Sequence, residues 1–303
     1  MTKNTAASIR QRLLNLSRER NEAFDFVLKV YVIQRLLYRL SVSKFHDRFV
    51  LKGAMLFWVW GGDLHRPTRD IDLLGYGEND IEILVSNFQT ICGVEAEDGL
   101  KFDMESIKGV EIKEEALYKG VRLTGKAILE SANITFQVDI GFGDAVTPQA
   151  ELAVLPSYLN FPEVELKVYP VYTVISEKFQ AMVALGIASS RIKDFYDLWV
   201  ISSEFKVDGN LLVEAIQATF KRRETSLSEQ KLSVFGRAFA SDDNKQKQWE
   251  AFLSKNGLES NMTFEVLMGK LQVFLEPVYI VAAKGDTFKR LWLENRWVKV
   301  GNT

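Results

Sequence analysis

A single cysteine, Cys92, and two histidines, His46 and His65, stand in a chain of 303 residues. One thiol forms no internal disulfide, and with no C-x-x-C partner it makes no zinc site. Two histidines exclude a multi-histidine metal centre. The compartment expected from this is a reducing cytoplasm. No uncharged apolar run reaches the roughly 18 residues of a membrane span. The longest candidate, residues 49–64, contains Lys52 and Asp63 and is broken by Gly61-Gly62. The first twenty residues lack the apolar core of a signal peptide, and no membrane association is expected. Net charge is scarce too: 38 basic against 40 acidic residues leave −2, which excludes a uniformly basic nucleic-acid coat and a strongly acidic solvating chain. What remains is a globular composition, 47% hydrophobic and 26% charged, long enough for one large domain or two modest ones.

The charge that is present is unevenly placed. Residues 1–50 carry ten basic and four acidic side chains, +6 locally, and residues 284–299 carry +3. The N-terminal excess reads either as a solvated helical face or as a surface facing a polyanion. Apolar residues there recur at helical spacing (Ile9, Leu13, Leu16, then Phe24, Val27, Leu28, Tyr31). From Phe49 to about Pro170 short apolar runs alternate with Gly and acidic clusters, and residues 134–140 alternate polar and apolar as a half-buried strand does. The stretch from Asp80 to Cys92 reads as an amphipathic helix. Beyond Pro170 the helical period returns: Thr173 is a candidate cap with Gly186 as stop, and further helices are expected from about Arg191 and over 209–222, 244–255 and 263–283. The expected class is α+β, a mixed sheet with flanking helices over 1–170 and a helical lobe over 171–303.

Chemistry concentrates at Thr68-Arg69-Asp70-Ile71-Asp72. Carboxylates at i and i+2 on a strand share a face and repel unless a cation sits between them. Oxygen-only ligands suit Mg²⁺, with Mn²⁺ as the substitute, and substrate phosphates complete such a site. The alternative is a solvent-facing Asp pair at a strand end. Upstream, Lys52-Gly53-Ala54 breaks an apolar run before a helix at Met55–Trp60, a turn whose backbone N–H groups suit a phosphate. Downstream, Asp139 sits in a separate strand. Three aspartates beside a glycine turn suit metal-assisted phosphoryl transfer. Arg69 either contacts phosphate or neutralises local acidity. Arg191, Asp194 and Asp197 share one helical face, as a salt-bridged cluster or as part of a site. Lys178 is an exposed helix lysine or, by its long stem, a phosphate ligand. Trp58 and Trp60 read as packing under the turn, and Lys221-Arg222-Arg223 as a solvated helix face or as a partner of the N-terminal basic segment in contacting RNA.

Gly53, Asp70-Ile71-Asp72 and Asp139 together resemble the glycine-turn, D-h-D, third-carboxylate pattern of polymerase-beta-like nucleotidyltransferases. Further segments narrow the resemblance to the AbiEii/AbiGii toxin family, which includes the MenT toxins. They are Arg39-Leu40 with Phe49 to Gly53, Arg69 to Asp72, Val138 to Asp144, Glu177 to Ala181 and Arg191 to Leu198. The resemblance implies a nucleotidyltransferase-type lobe with Asp70, Asp72 and Asp139 as metal ligands. It implies Lys52, Gly53, Ala54 and Arg69 at the nucleotide, Lys178 on its triphosphate, and Asp194 as a participant supported by Arg191 and Asp197. It also implies a monomeric cytoplasmic toxin of a toxin–antitoxin or phage abortive-infection system that uses NTP and Mg²⁺, modifies the 3′ end of tRNA to block translation, and has a cognate antitoxin. Transfer to a protein hydroxyl is the rival reading, and a nucleotide-binding module without catalysis is another. Two departures stand out: Ala54 replaces the Ser or Gly usual after the turn glycine, and the seventeen positions from Gly53 to Asp70 are longer than the wider superfamily interval.

Overall fold

The computed structural model describes residues 3–62, 64–114, 118–258 and 261–299; Asp63 and the Lys3 side chain lie outside the described residues. The chain divides into two compact units. One comprises Met1–Gly143 with Glu151–Tyr169, the other Asp144–Ala150 with Pro170–Thr303.

The first unit opens with two helices, α1 (Lys3–Glu19) and α2 (Phe24–Ser41). Then follow β1 (Phe49–Lys52), α3 (Met55–Gly61), β2 (Ile71–Gly75), α4 (Ile81–Cys92), β3 (Leu100–Glu114), β4 (Tyr118–Leu129), β5 (Ala132–Phe142), β6 (Glu151–Leu155) and β7 (Val164–Val168). Helix α4 starts where the sequence puts a cap: the Asp80 carboxylate accepts from the backbone N–H groups of Glu82 and Ile83. The strands form one mixed seven-stranded sheet in the order β3-β4-β5-β2-β1-β7-β6. Strands β2 and β5 run parallel, as do β1 and β7, while β1–β2 and β4–β5 are antiparallel. Helix α2 is the core helix of this unit, with Val27, Leu28, Tyr31, Ile33, Leu36, Leu37 and Leu40 buried.

Two of the ten N-terminal basic residues do not belong to any surface. Arg35 and Arg39 are one turn apart on the buried side of α2 and are 1% and 2% exposed. Both converge on Asp98, itself fully buried. Arg35 Nε donates to Oδ2 at 2.9 Å, and Arg39 donates through Nη1 to Oδ2 at 2.5 Å and through Nη2 to Oδ1 at 3.0 Å. Asp98 Oδ1 also accepts from Leu100 N–H, and the Tyr31 hydroxyl donates to the Asp98 carbonyl at 2.7 Å. Tyr38, Phe161 and Phe102 cover the two guanidinium planes. Burial pushes the Tyr31 hydroxyl pKa upward, and the negative charge of Asp98 adds to it. The cluster ties α2 to the chain entering β3, and its arginines are structural rather than polyanion-facing.

The second unit carries α5 (Val171–Leu185), α6 (Ile192–Glu204), β8 (Val207–Asp208), α7 (Gly209–Arg222), α8 (Arg237–Ala240), α9 (Asp243–Asn256), α10 (Phe264–Lys284), β9 (Arg290–Leu293) and β10 (Arg296–Lys299). The helices fall where their periods put them, but two local readings change. Thr173 lies inside α5, not at its cap; Pro170 holds that position, and the Thr173 hydroxyl donates to the Thr147 carbonyl while accepting from Thr147 N–H. The basic C-terminal stretch is not helical. It forms the hairpin β9–β10, which pairs with β8 in a three-stranded sheet. Helix α10 is long and apolar enough to cross a membrane by length and composition alone. Here Phe264, Leu267, Leu271, Phe274, Leu275 and Val278 are buried within the unit.

Asp98→Asn leaves two buried guanidinium groups facing a neutral amide, a loss expected to destabilise the first unit by about 3–5 kcal/mol. Urea denaturation followed by circular dichroism should show the first transition at lower midpoint; an unchanged midpoint would show that the cluster carries no net stability.

Candidate active site

Four side chains lie in one row across adjacent strands of the seven-stranded sheet. Lys52 on β1 is the register partner of Asp72 on β2, Asp72 of Asp139 on β5, and Asp139 of Arg122 on β4. Register partners project from the same face, so the row reads cation, anion, anion, cation. Like charges directly opposite are destabilising, and here each acid is flanked by a base. Lys52 and Asp139 are buried at 7% and 6% exposure, while Asp70 and Asp72 are half-buried.

Asp139 is fully engaged. Arg122 donates to it in a fork, Nε to Oδ1 at 2.8 Å and Nη2 to Oδ2 at 2.7 Å, and Gln137 Nε2 approaches the same oxygens at 3.2 and 3.3 Å. The hydrogen bonds to Asp139 hold the Arg122 pKa above its ordinary value, helped by the charges of Asp139, Asp70 and Asp72. All three acids therefore act on one guanidinium. Arg122 was not among the residues picked out by motif. Its only sequence signal is a charge between the inward Val121 and Leu123.

The turn preceding α3 closes on the row. Gly53 has φ +76°, a left-handed conformation, and a Cβ placed there would lie 2.0 Å from Asp72 Oδ2. Glycine is required twice over, by backbone conformation and by the approach of the carboxylate. Ala54 follows in right-handed helical conformation and makes no side-chain cap. The successive left- and right-handed residues form a concavity of backbone amides of the kind that takes anions. Asp70 accepts from the Thr68 hydroxyl at 3.2 Å, and Arg69 is exposed. Lys29 of α2, also absent from the motif reading, has its pKa lowered by burial and by the charge of Arg69, with Asp70 opposing. His65 packs edge-on to Phe57, and His46 is exposed beside Asp47.

In the second unit α5 and α6 bring together the other nominated residues. Lys178 Nζ lies 2.6 Å from Asp194 Oδ1 and 2.8 Å from Asp197 Oδ2, and Arg191 Nε lies 2.6 Å from Asp194 Oδ2. Asp194 and Asp197 are buried, and Lys178 is nearly so. Burial opposes ionisation of Asp194, but Lys178 and Arg191 prevail and hold its carboxyl below the ordinary range. Arg223 departs from the expected solvated face. Its guanidinium donates to Gln180 Oε1 at 3.0 Å and reaches Glu177 and Asp144 at 3.6 and 3.8 Å. Lys221 and Arg222 are exposed, as are Lys284, Lys289, Arg290, Arg296 and Lys299.

A family model described as "Nucleotidyl transferase AbiEii toxin, Type IV TA system" matches residues 35–269. The chain belongs to this family. It is thus a nucleotidyltransferase of the toxin side of type IV toxin–antitoxin systems, a class that works with an NTP and, in general, a divalent metal. Among solved structures it is similar to JHP933 from Helicobacter pylori at 13% identity, covering 87% of this chain and 95% of that one with a TM-score of 0.49. It is similar also to a candidate nucleotidyltransferase from H. pylori at 13% identity, covering 86% and 98% with a TM-score of 0.45. No curated protein matches.

The family implies a divalent cation, and the donor chemistry fits one. Asp70 and Asp72 are hard oxygen donors beside a turn that leaves space only because residue 53 has no Cβ. One or two carboxylates, with water and phosphate oxygens, are what Mg²⁺ requires. Among the described residues no group of three His, Cys, Asp or Glu side chains is gathered for an ion, which accords with Asp139 being turned to Arg122.

Because the Asp194 carboxyl is held below its ordinary value, its contribution to stability is present above about pH 4, the unfolded-state pKa, and is lost as pH falls through the folded-state pKa. Thermal melting from pH 7 to 3 should show an acid limb for the wild type that is shallower in Asp194→Asn. Equal limbs would remove Asp194 from the acid response.

Proposed function

We propose that this chain is a Mg²⁺-dependent nucleotidyltransferase toxin, with Mn²⁺ as an effective substitute, that transfers nucleotides from an NTP to the 3′ end of tRNA in the cytoplasm and so blocks aminoacylation and translation. The observation that carries the reading is the Lys52–Asp72–Asp139–Arg122 row beside the Gly53 turn. It combines carboxylates for a cation, backbone amides for phosphate and two positive charges in one patch of sheet.

In this reading Asp70 and Asp72 hold the cation, and Asp139 supplies the third carboxylate of the family pattern. A cation held there would supply, when bound, activation of the attacking 3′ hydroxyl and stabilisation of the leaving pyrophosphate. The chain's own work is orientation. The Gly53–Ala54 amides bind phosphate oxygens without the serine hydroxyl that Ala54 replaces, and Lys52 fixes Asp72 from one side. Arg69, exposed next to Asp70, binds a phosphate. Lys178 keeps the family's role as a triphosphate ligand, with Asp194, Asp197 and Arg191 orienting its ammonium. The bond formed is between the acceptor oxygen and the α-phosphorus; the bond broken joins that phosphorus to the pyrophosphate.

An RNA acceptor is supported by the exposed bases of residues 284–299 and by those N-terminal basic residues that remain after Arg35 and Arg39 are withdrawn into the core, since phosphate contacts dominate such affinity. A cognate antitoxin and antiviral abortive infection belong to the same reading.

With total tRNA and each α-labelled NTP in turn, wild-type protein should label RNA, and Asp72→Asn should lower the rate at least about a hundredfold, the scale of removing one interaction aimed at transition-state charge. Label on polypeptide alone would replace tRNA by a protein hydroxyl as acceptor. Full activity in Asp72→Asn would overturn the site, and nucleotide binding without turnover for all four NTPs would make the chain a binding module.

A further inference from the structure

Both oxygens of Asp139 are taken by one guanidinium, and the two partners differ in freedom. The Asp139 side chain is 9% exposed, while that of Arg122 is 40% exposed. The carboxylate is fixed within β5, and Gln137 further limits its rotation. The guanidinium sits at the end of a long side chain that reaches solvent, so it can leave without any movement of the sheet. In the next strand Val110, the register partner of Arg122, is itself exposed, leaving space on that side of the row.

Electrostatics points the same way. With Lys52 and Arg122 in place, the row is neutral, and a divalent cation reaching Asp139 must compete with a bidentate charge-assisted pair. We propose that Arg122 is a built-in counter-cation that masks Asp139 in the metal-free enzyme and yields it when the divalent cation binds. Arg122 is thereby a positioning residue that sets the cation affinity of the site. Its displaced guanidinium remains next to the Gly53 turn's carboxylate patch, where its charge favours an anionic substrate. The inference rests on the reading of Asp70, Asp72 and Asp139 as metal ligands.

When a ligand can use a group only in the fraction of molecules where that group is free, its apparent affinity falls by that fraction. Removing the competitor restores it. The test is Mn²⁺ binding to the full chain without nucleotide, followed by the electron paramagnetic resonance of the free ion, for wild type, Arg122→Gln, Arg122→Lys, Asp72→Asn and the double variant Arg122→Gln/Asp139→Asn. Arg122→Gln should bind Mn²⁺ about tenfold more tightly than wild type. Arg122→Lys, which keeps one positive charge but loses the fork, should fall between them and serves if Arg122→Gln does not fold. The double variant should lose the gain. Mn²⁺ affinity unchanged or weakened in the Arg122 variants, with binding abolished in Asp72→Asn, overturns the masking role while leaving the metal site standing. Wild-type Mn²⁺ binding retained in Asp72→Asn overturns the metal reading itself, and the masking role with it.

Discussion

Two carboxylates in register on adjacent parallel strands set the terms for the whole first unit. Asp72 and Asp139 are like charges directly opposite one another where β2 and β5 pair, and positive charge on both sides offsets their repulsion. The order β4-β5-β2-β1 provides it by placing Arg122 and Lys52 at the ends of the row. The glycine at position 53 follows from the same constraint, because the turn leaving β1 passes so close to Asp72 that any side chain would collide with it. The row thereby gathers two acids and two bases on one face of the sheet beside the Gly53 turn.

Exposure separates the two ways this chain handles buried acids. Asp98 is closed off from water together with Arg35 and Arg39, so every partner is fixed and the cluster serves the fold. Breaking it leaves uncompensated charge in a dry interior. Asp139 has one partner that reaches solvent, which makes that pair exchangeable. The Lys178, Asp194, Asp197 and Arg191 group of the second unit lies between these cases: three members are nearly buried and the fourth, Arg191, is 40% exposed. The same residue types thus hold a helix against a sheet in one place and keep a charge within reach of solvent in another.

Local spacing was enough to nominate Asp70, Asp72 and Gly53, because the acid pair and the glycine turn are each short-range signals, while the approach of Gly53 to Asp72 comes from the pairing of β1 with β2. The helices were legible for the same reason; their apolar periods match the observed spans closely. Arg122 was not, since its meeting with Asp139 depends on which strands become neighbours, and register across a sheet has no local signature in one sequence. Arg35 and Arg39 were counted as surface charge because composition alone cannot tell a solvated arginine from a paired one. Their position among Leu36, Leu37 and Leu40 was the available hint. The β9–β10 hairpin was missed because its tight turn uses Glu294 and Asn295 at φ 48° and 60° instead of the glycine that marks such turns.

In the proposed function the carboxylate row is the cation site of nucleotidyl transfer. Crystals soaked with Mn²⁺ and a non-hydrolysable NTP analogue, measured at the manganese absorption edge, test it most directly. Anomalous peaks are expected in contact with Asp70, Asp72 and Asp139, with Arg122 turned away from Asp139. Manganese bound elsewhere, or a nucleotide seated away from the Gly53 turn with the Arg122–Asp139 fork intact, would contradict it.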